Sequence, residues 1–134
     1  MAVRGRSARR IALETLYEHD VAGAATGEIL SRYQGQKALP YAEKLVAGVA
    51  EHQVAIDDLI EACAEDWTLA RMPPVDRNLL RLGVLELRYL AVIPAVAIDE
   101  AVSLAAAYST ADSGRFINGI LGRIAREGAP VGEP

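Results

Sequence analysis

The stretch Pro73–Leu90, PPVDRNLLRLGVLELRYL, decides the architecture. On a helix advancing about 100° per residue, Arg77, Arg81 and Arg88 fall within a stripe about forty degrees wide. Apolar side chains hold most of the remaining circumference. Such a helix cannot lie on a surface, because Val75, Leu79, Leu80, Leu82, Val84, Leu87 and Leu90 need neighbouring helices on several sides. The spacing predicts the central helix of a bundle, with only the arginine edge reaching water. Pro73 and Pro74 stop whatever precedes it, and Asp76, in or just before the first turn, complements the exposed amides and positive dipole end. Glu86 points into the apolar arc. A lone buried carboxylate is costly, so it either accepts backbone amides at another helix start or pairs with an arginine.

Outward from this helix, the periodicity is helical throughout. Residues 1–6 read as a flexible arm, with Ser7 capping a helix over Ala8–Ala22 whose core stripe is Ala8, Ala12, Thr15 and Leu16. Arg10 and Tyr17 project from a more polar side that also carries Glu14. Gly23–Gly27 breaks the pattern, Glu28–Tyr33 suggests a short helix, and Gly35–Pro40 is a connector. From Tyr41 to Trp67, Tyr41, Leu45, Val49, His52, Ile56, Leu59, Ile60, Cys63 and Trp67 share one face, on either one long helix or two joined by a bend. After the central helix come a break at Pro94, a helix over Val96–Tyr108, a polar loop Ser109–Ser113, a helix over Gly114–Glu127 and a frayed tail at Ala129–Pro134. No stretch alternates at period two for long enough to make a strand. The expectation is all-α, with six or seven helices.

A chain of 134 residues fits one domain or two small, intimately packed halves. Charged residues interrupt every apolar run well before membrane-spanning length, and no export signal follows the N-terminal arginines, so no membrane association is expected. The single cysteine, Cys63, shares a face with Leu45, Ile56 and Leu59 and is expected to be buried, in keeping with a reducing cytoplasm. The net charge of −4 conceals an asymmetry: Arg4, Arg6, Arg9 and Arg10 crowd the first ten residues, leaving ten basic against eighteen acidic groups elsewhere, a balance of −8. An acidic body with a basic arm suits a protein that meets phosphate at one place.

Enzyme patterns are nearly absent. His19 and His52 lie on apolar faces, there is no HExxH, CxxC or EF-hand loop, and the GxxG of Gly119 and Gly122 sits inside a helix. No metal or cofactor is implied. Asn118, Gly119 and Gly122 are poor helix formers, implying either close packing or backbone left open to a ligand. What the chain does offer is a set of RNA-binding parts: arginines at the start, Tyr17 beside Arg10, and a helix start bearing Asp112, Ser113, Arg115 and Phe116. They supply phosphate cations, stacking surfaces and groups able to read base edges. Spacing alone leaves open whether they meet in space or are a solvated arm and two ordinary helix edges.

Four blocks carry a resemblance: ARRIALETLY, IDDLIEACAEDW, VDRNLLRLGVLELRYL and IPAVAIDEAVSLAAAYSTADSGRFINGILGRIA. Through them almost the whole chain resembles the NusB family of bacterial transcription antitermination factors. The resemblance implies one NusB-like domain over residues 1–134, two small helical bundles (about 1–67 and 68–128) packed together, and no catalysis. It further implies binding of the boxA element of nascent RNA, notably ribosomal RNA leaders, with the small-subunit ribosomal protein NusE. NusA, NusG and RNA polymerase complete the larger complex. Carried residue by residue, RNA contact falls on Arg6, Arg9, Arg10, Tyr17, Tyr108, Asp112, Arg115 and Phe116, and the NusE surface falls around the start of the central helix, at Asp76 and Arg77, and on helices beside it. Ala106, where many members have lysine, and Ala64, where some have an aromatic, depart from the pattern. Some members self-associate, which leaves a homodimer open. The alternative from another class is a non-catalytic protein-interaction scaffold without RNA specificity of its own.

Overall fold

Helix α4 (Pro74–Arg88) runs where its pattern places it, with Leu79, Leu80, Leu82, Val84 and Leu85 all buried. It belongs to a computed structural model that describes residues 2–127, with side chains from Gly5 onward. Within these residues α1 (Ala2–Ala22), α2 (Thr26–Ser31) and α3 (Leu39–Cys63) precede it, then a 3-10 turn at Leu69–Arg71; α5 (Pro94–Tyr108) and α6 (Ala111–Arg126) follow. No strand occurs among the described residues. The buried side chains of these helices form one core, and α4 packs against α1, α3, α5 and α6.

The buried acid of α4 finds its counter-charge far away in sequence. The Arg9 Nε lies 2.9 and 3.0 Å from the two Glu86 oxygens, and the Tyr41 hydroxyl donates to Oε2 at 2.6 Å. Arg9 also lies 5.9 Å over the Tyr41 ring. One cation from α1 and one phenol from α3 thereby satisfy a carboxylate on α4. Burial, then the bond to Glu86, pushes the Tyr41 phenol well above its ordinary range, so it stays a donor.

The arginine edge does not reach water as expected. Arg77 donates from Nε and Nη2 to the Asp20 carboxylate at 2.7 and 2.8 Å, and Arg81 grips Asp57 at 2.9 and 3.1 Å. Asn78 bridges the two pairs, donating to Asp20 at 2.9 Å and accepting from Arg81 at 3.1 Å. Acids from α1 and α3 close over the stripe. Periodicity shows where an arginine projects but not which carboxylate faces it.

Helix boundaries shift for local reasons. Helix α1 already runs through Arg6 and Ser7, so Ser7 is not a cap and Arg6 is not on a loose arm; Met1, the Arg4 side chain and the tail Ala129–Pro134 lie outside the described residues. Pro40 and Pro94 fall in the first turns of α3 and α5, where a missing N–H costs nothing, so they open helices instead of interrupting the chain. Thr110 caps α6, its hydroxyl accepting from the Ser113 amide at 3.1 Å, which turns most of the expected polar loop into helix. Helix α3 bends at His52 (φ −110°, ψ 15°), whose ring stacks on Tyr89 at 3.8 Å. Beyond Cys63 the chain turns at Glu65, whose φ of 56° is the left-handed conformation usual just past a helix end. That turn throws Trp67, expected on the buried face, out to 47% exposure.

Two glycines set the spacing of the layers. A Cβ on Gly83 would stand 2.6 Å from Leu121 of α6, and one on Gly48 would stand 2.8 Å from Leu85 of α4. Gly119, by contrast, faces open space and marks exposed backbone, not close packing.

Replacing Glu86 by alanine should lower the unfolding free energy by about 3–5 kcal/mol, because Arg9 is left charged and buried. Glu86→Leu combined with Arg9→Met should recover most of that loss. Urea denaturation compares the two, and equal losses would show that the pair supplies volume and not charge compensation. A second expectation concerns acid. Hydrogen bonds from Arg77 hold the Asp20 carboxyl below its ordinary value, against an opposing effect of burial. Its contribution is therefore present above the unfolded value of about 4 and lost as pH falls through the lower folded value. Asp20→Asn should flatten that part of the stability-against-pH curve, and an unchanged curve would exclude Asp20 as its source.

Candidate nucleic-acid interface

Arg6 and Arg10 stand one turn apart on α1 and face the last turns of α5. Together with Ser7, Ser103, Leu104, Ala107 and Tyr108 they line an open groove of about 710 Å³. Neither cation is loose. Arg6 donates to both oxygens of Glu100 at 3.1 and 3.0 Å while 57% of its side chain remains exposed, and Arg10, 43% exposed, lies 3.6 Å from Glu14. Pairing of this kind fixes direction without hiding the charge, and a phosphate can approach the open face of each guanidinium.

Glu14 organises this end of the molecule. Its carboxylate accepts from the Tyr108 hydroxyl at 2.6 Å and from Tyr33 at 2.9 Å, besides facing Arg10. Burial, then the bond to Glu14, raises the Tyr108 phenol above its ordinary value, so it remains a neutral donor with an exposed ring. Tyr17 is exposed one turn further along. It lines a second groove, of about 440 Å³, with Leu13, Glu14, Glu18, Tyr108 and Val75, the last at the start of α4. Tyr108 is the wall common to both grooves.

The third group sits at the beginning of α6. Asp112 and Arg115 pair with each other on the surface, and Phe116 is half-buried, its ring edge-on to Trp67 at 6.0 Å. The chain connects this group to the first groove within a few residues, since Tyr108 ends α5 and Thr110 caps α6.

Three of the expected residues are turned inward. Arg9 is 8% exposed, consumed by Glu86 and Tyr41, because its position on α1 faces α4 and not the groove. Asp76 is 3% exposed and accepts from the Ser113 hydroxyl at 2.8 Å, and Arg77 is held by Asp20. In the other direction, Glu100, Ser103 and Trp67 were not singled out. Glu100 and Ser103 carry no signal of their own, whereas Glu14, four residues after Arg10, was legible as an ion-pair spacing. Among the described residues no group of three His, Cys, Asp or Glu could hold a metal, and no helix is long and apolar enough to cross a membrane.

These features define a class: an all-α protein presenting paired surface arginines along a groove walled by an exposed tyrosine. The chain belongs to the NusB family, whose profile matches residues 6–126. Transcription antitermination protein NusB of Saccharopolyspora erythraea is 52% identical over 124 residues, covering 88% of this chain and 84% of the relative. The protein of the same description from Salinispora arenicola is 50% identical over 127 residues, covering 90% and 93%. Among solved structures, NusB of T. maritima superposes with a TM-score of 0.85 at 39% identity, covering 93% of this chain and 92% of that one. A crystal structure of antitermination factors NusB and NusE in complex with dsRNA superposes with a TM-score of 0.84 at 32% identity, covering 94% and 98%.

Glu14→Gln keeps an acceptor for the two phenols but removes the charge beside Arg10. Affinity for a short RNA at low salt should rise by roughly two- to fivefold, the effect of deleting one partly screened like charge near a phosphate. Fluorescence anisotropy of a labelled oligonucleotide checks it, and a fall in affinity would place Glu14 itself on the RNA.

Proposed function

We propose that this chain is a transcription antitermination factor that binds boxA-type single-stranded RNA together with the ribosomal protein NusE, without catalysing a reaction. The observation that carries the reading is the groove between α1 and α5. It holds two pre-oriented, half-open arginines beside the exposed ring of Tyr108, from which the α5–α6 connection leads along the chain to Asp112, Arg115 and Phe116. Phosphates contact Arg6, Arg10 and Arg115, which position the strand; unstacked bases meet Tyr108 and Phe116, which no duplex could offer its bases to. Arg9 contributes indirectly, by holding α1 in register on α4.

The NusE surface is the second groove, where Val75 and Tyr17 flank the start of α4. Asp76 and Arg77 follow Val75 on α4, and their ties to Ser113 and Asp20 fix the helix start on which a partner docks. Tyr17 and Tyr108 line this groove and Tyr108 lines the RNA groove as well, so RNA and partner meet along one shared wall. In a larger complex with NusA, NusG and RNA polymerase, the chain serves as the element that captures the transcript. A homodimer through the same grooves would mask them both and act as a storage form.

With Arg9 buried, three surface arginines remain to neutralise phosphates. The log–log dependence of affinity on salt should have a slope near roughly −2 for single strands. Phe116→Ala should weaken RNA binding by about 1–3 kcal/mol if the ring stacks on a base. A mobility shift with a boxA-like RNA, with and without NusE and beside a duplex of the same sequence, tests substrate and partner together. Tighter binding of the duplex, or no binding of either RNA, would defeat the single-strand reading. NusE capture that survives ribonuclease in a protein that binds no RNA would establish the scaffold reading in its place.

A further inference from the structure

A cavity of about 220 Å³ opens where the turn after α3 meets the beginnings of α4 and α6. Its walls are the rings of Trp67 and Phe116, inclined at 63° to each other, its rim is Thr110 and Asp112, and Ser113 and Asp76 line it from below. Trp67 is 47% exposed although it is the largest apolar side chain in the protein, and Asp76 is 3% exposed. Asp76 uses only half of its carboxylate: Oδ2 accepts from Ser113 at 2.8 Å, while Oδ1 is buried without a hydrogen-bond partner among the described residues.

The missing partner has a local cause. An acid at the third position of a helix ordinarily reaches back to the amide of the capping residue. Here the cap is Pro73 and the first helical residue is Pro74, and neither has an N–H to give. The two prolines that start α4 thus strip the donors from the neighbourhood of Oδ1. A buried acceptor left in this state is costly, and a ligand that brings an N–H removes the cost.

We infer that the corner between Trp67 and Phe116 is a base pocket, in which one nucleobase of the bound RNA stacks on one of the two rings, meets the other edge-on, and is selected through Asp76 for an exocyclic amino group. The inference rests on the RNA reading above. A flat occupant suits the space, because it can lie on one aromatic face while the other ring meets it edge-on; it must donate, because the free acceptor is a carboxylate oxygen; and it arrives on a strand, because Asp112, Arg115 and Phe116 already belong to the proposed path of the backbone. Cytosine and adenine present an amino group on the pairing edge, and carboxylates accept from such groups when proteins read bases. Uracil presents its one pairing-edge N–H between two carbonyl oxygens, which meet the carboxylate unfavourably. The pocket therefore prefers an amino-bearing base to uracil. Trp67 supplies the more exposed ring, and the left-handed turn at Glu65 is what presents it.

Trp67 is the only tryptophan in the chain, so its emission reports on this pocket directly in the unmodified protein. The experiment titrates the protein with short single-stranded oligonucleotides of cytidine, adenosine or uridine, following Trp67 fluorescence and, separately, anisotropy of the labelled RNA. Quenching that saturates with the same midpoint as anisotropy, stronger binding of the cytidine and adenosine strands than of uridine, and a loss on the order of tenfold in affinity on Trp67→Ala are expected. Trp67→Phe should restore most of that loss. Asp76→Asn replaces one carboxylate oxygen by a donating NH2 while the remaining oxygen can still accept from Ser113, and should shrink or reverse the preference over uridine by roughly tenfold while anisotropy still reports binding. That change of preference is one a merely destabilised fold would not produce. RNA binding with Trp67 emission unchanged and both variants silent overturns the pocket and leaves the RNA groove standing. Absence of RNA binding by the unmodified protein overturns both. Loss of NusE capture in Asp76→Asn with base preference intact also overturns it, by giving the pocket to a basic side chain of the protein partner.

Discussion

A carboxylate cannot remain in a helical core unless a cation and a donor come to it, and in this chain both come from other helices. Glu86 is enclosed by Arg9 from α1 and Tyr41 from α3. This requirement orients the whole first half of the molecule against α4, because neither partner can be supplied without placing its helix at the right distance and rotation. Apolar burial alone would accept several rotations of α1. The ion pair accepts one, and that rotation turns Arg6 and Arg10 outward, toward α5, while Arg9 turns to the core.

The same economy of charge runs along the rest of the α1–α4 seam. Asp20 and Asp57 take up Arg77 and Arg81 of α4, so the edge that looked solvated is closed by acids. What remains on the surface is a short cationic edge whose directions are set by acids, Glu100 for Arg6 and Glu14 for Arg10. An acidic protein of this kind meets a polyanion only where its arginines are both exposed and aimed. Stacking surfaces at Tyr108 and Phe116 then lie within a few residues of the same connection, and chemistry that no single helix carries is assembled at a junction.

Much of this was legible from residue order. The all-α class, the central position of α4 and the core stripe of α1 follow from period and composition, since an apolar circumference leaves a helix no other place. The need of Glu86 for a partner was legible too, and its identity was not, because a separation of 77 residues between Arg9 and Glu86 leaves no local trace. The site was read less completely for the same reason. Arg9 and Arg10 are neighbours in sequence and look alike, yet the roughly 100° between them on a helix sends one into the core and the other into the groove. Trp67 was misplaced because the periodicity of α3 extends in sequence past Cys63, where the backbone has already turned.

The glycine contacts described for the core bear on how this surface can vary. Leu85 fills the space left by Gly48, and Leu121 the space left by Gly83, so α3, α4 and α6 are locked at a fixed separation by two missing side chains. Groove residues such as Ser103 and Ala107 can therefore be exchanged without disturbing the distance across which α6 faces the turn after α3. The interior works as a ruler, and divergence is channelled into chemistry at its ends, not into the length it measures.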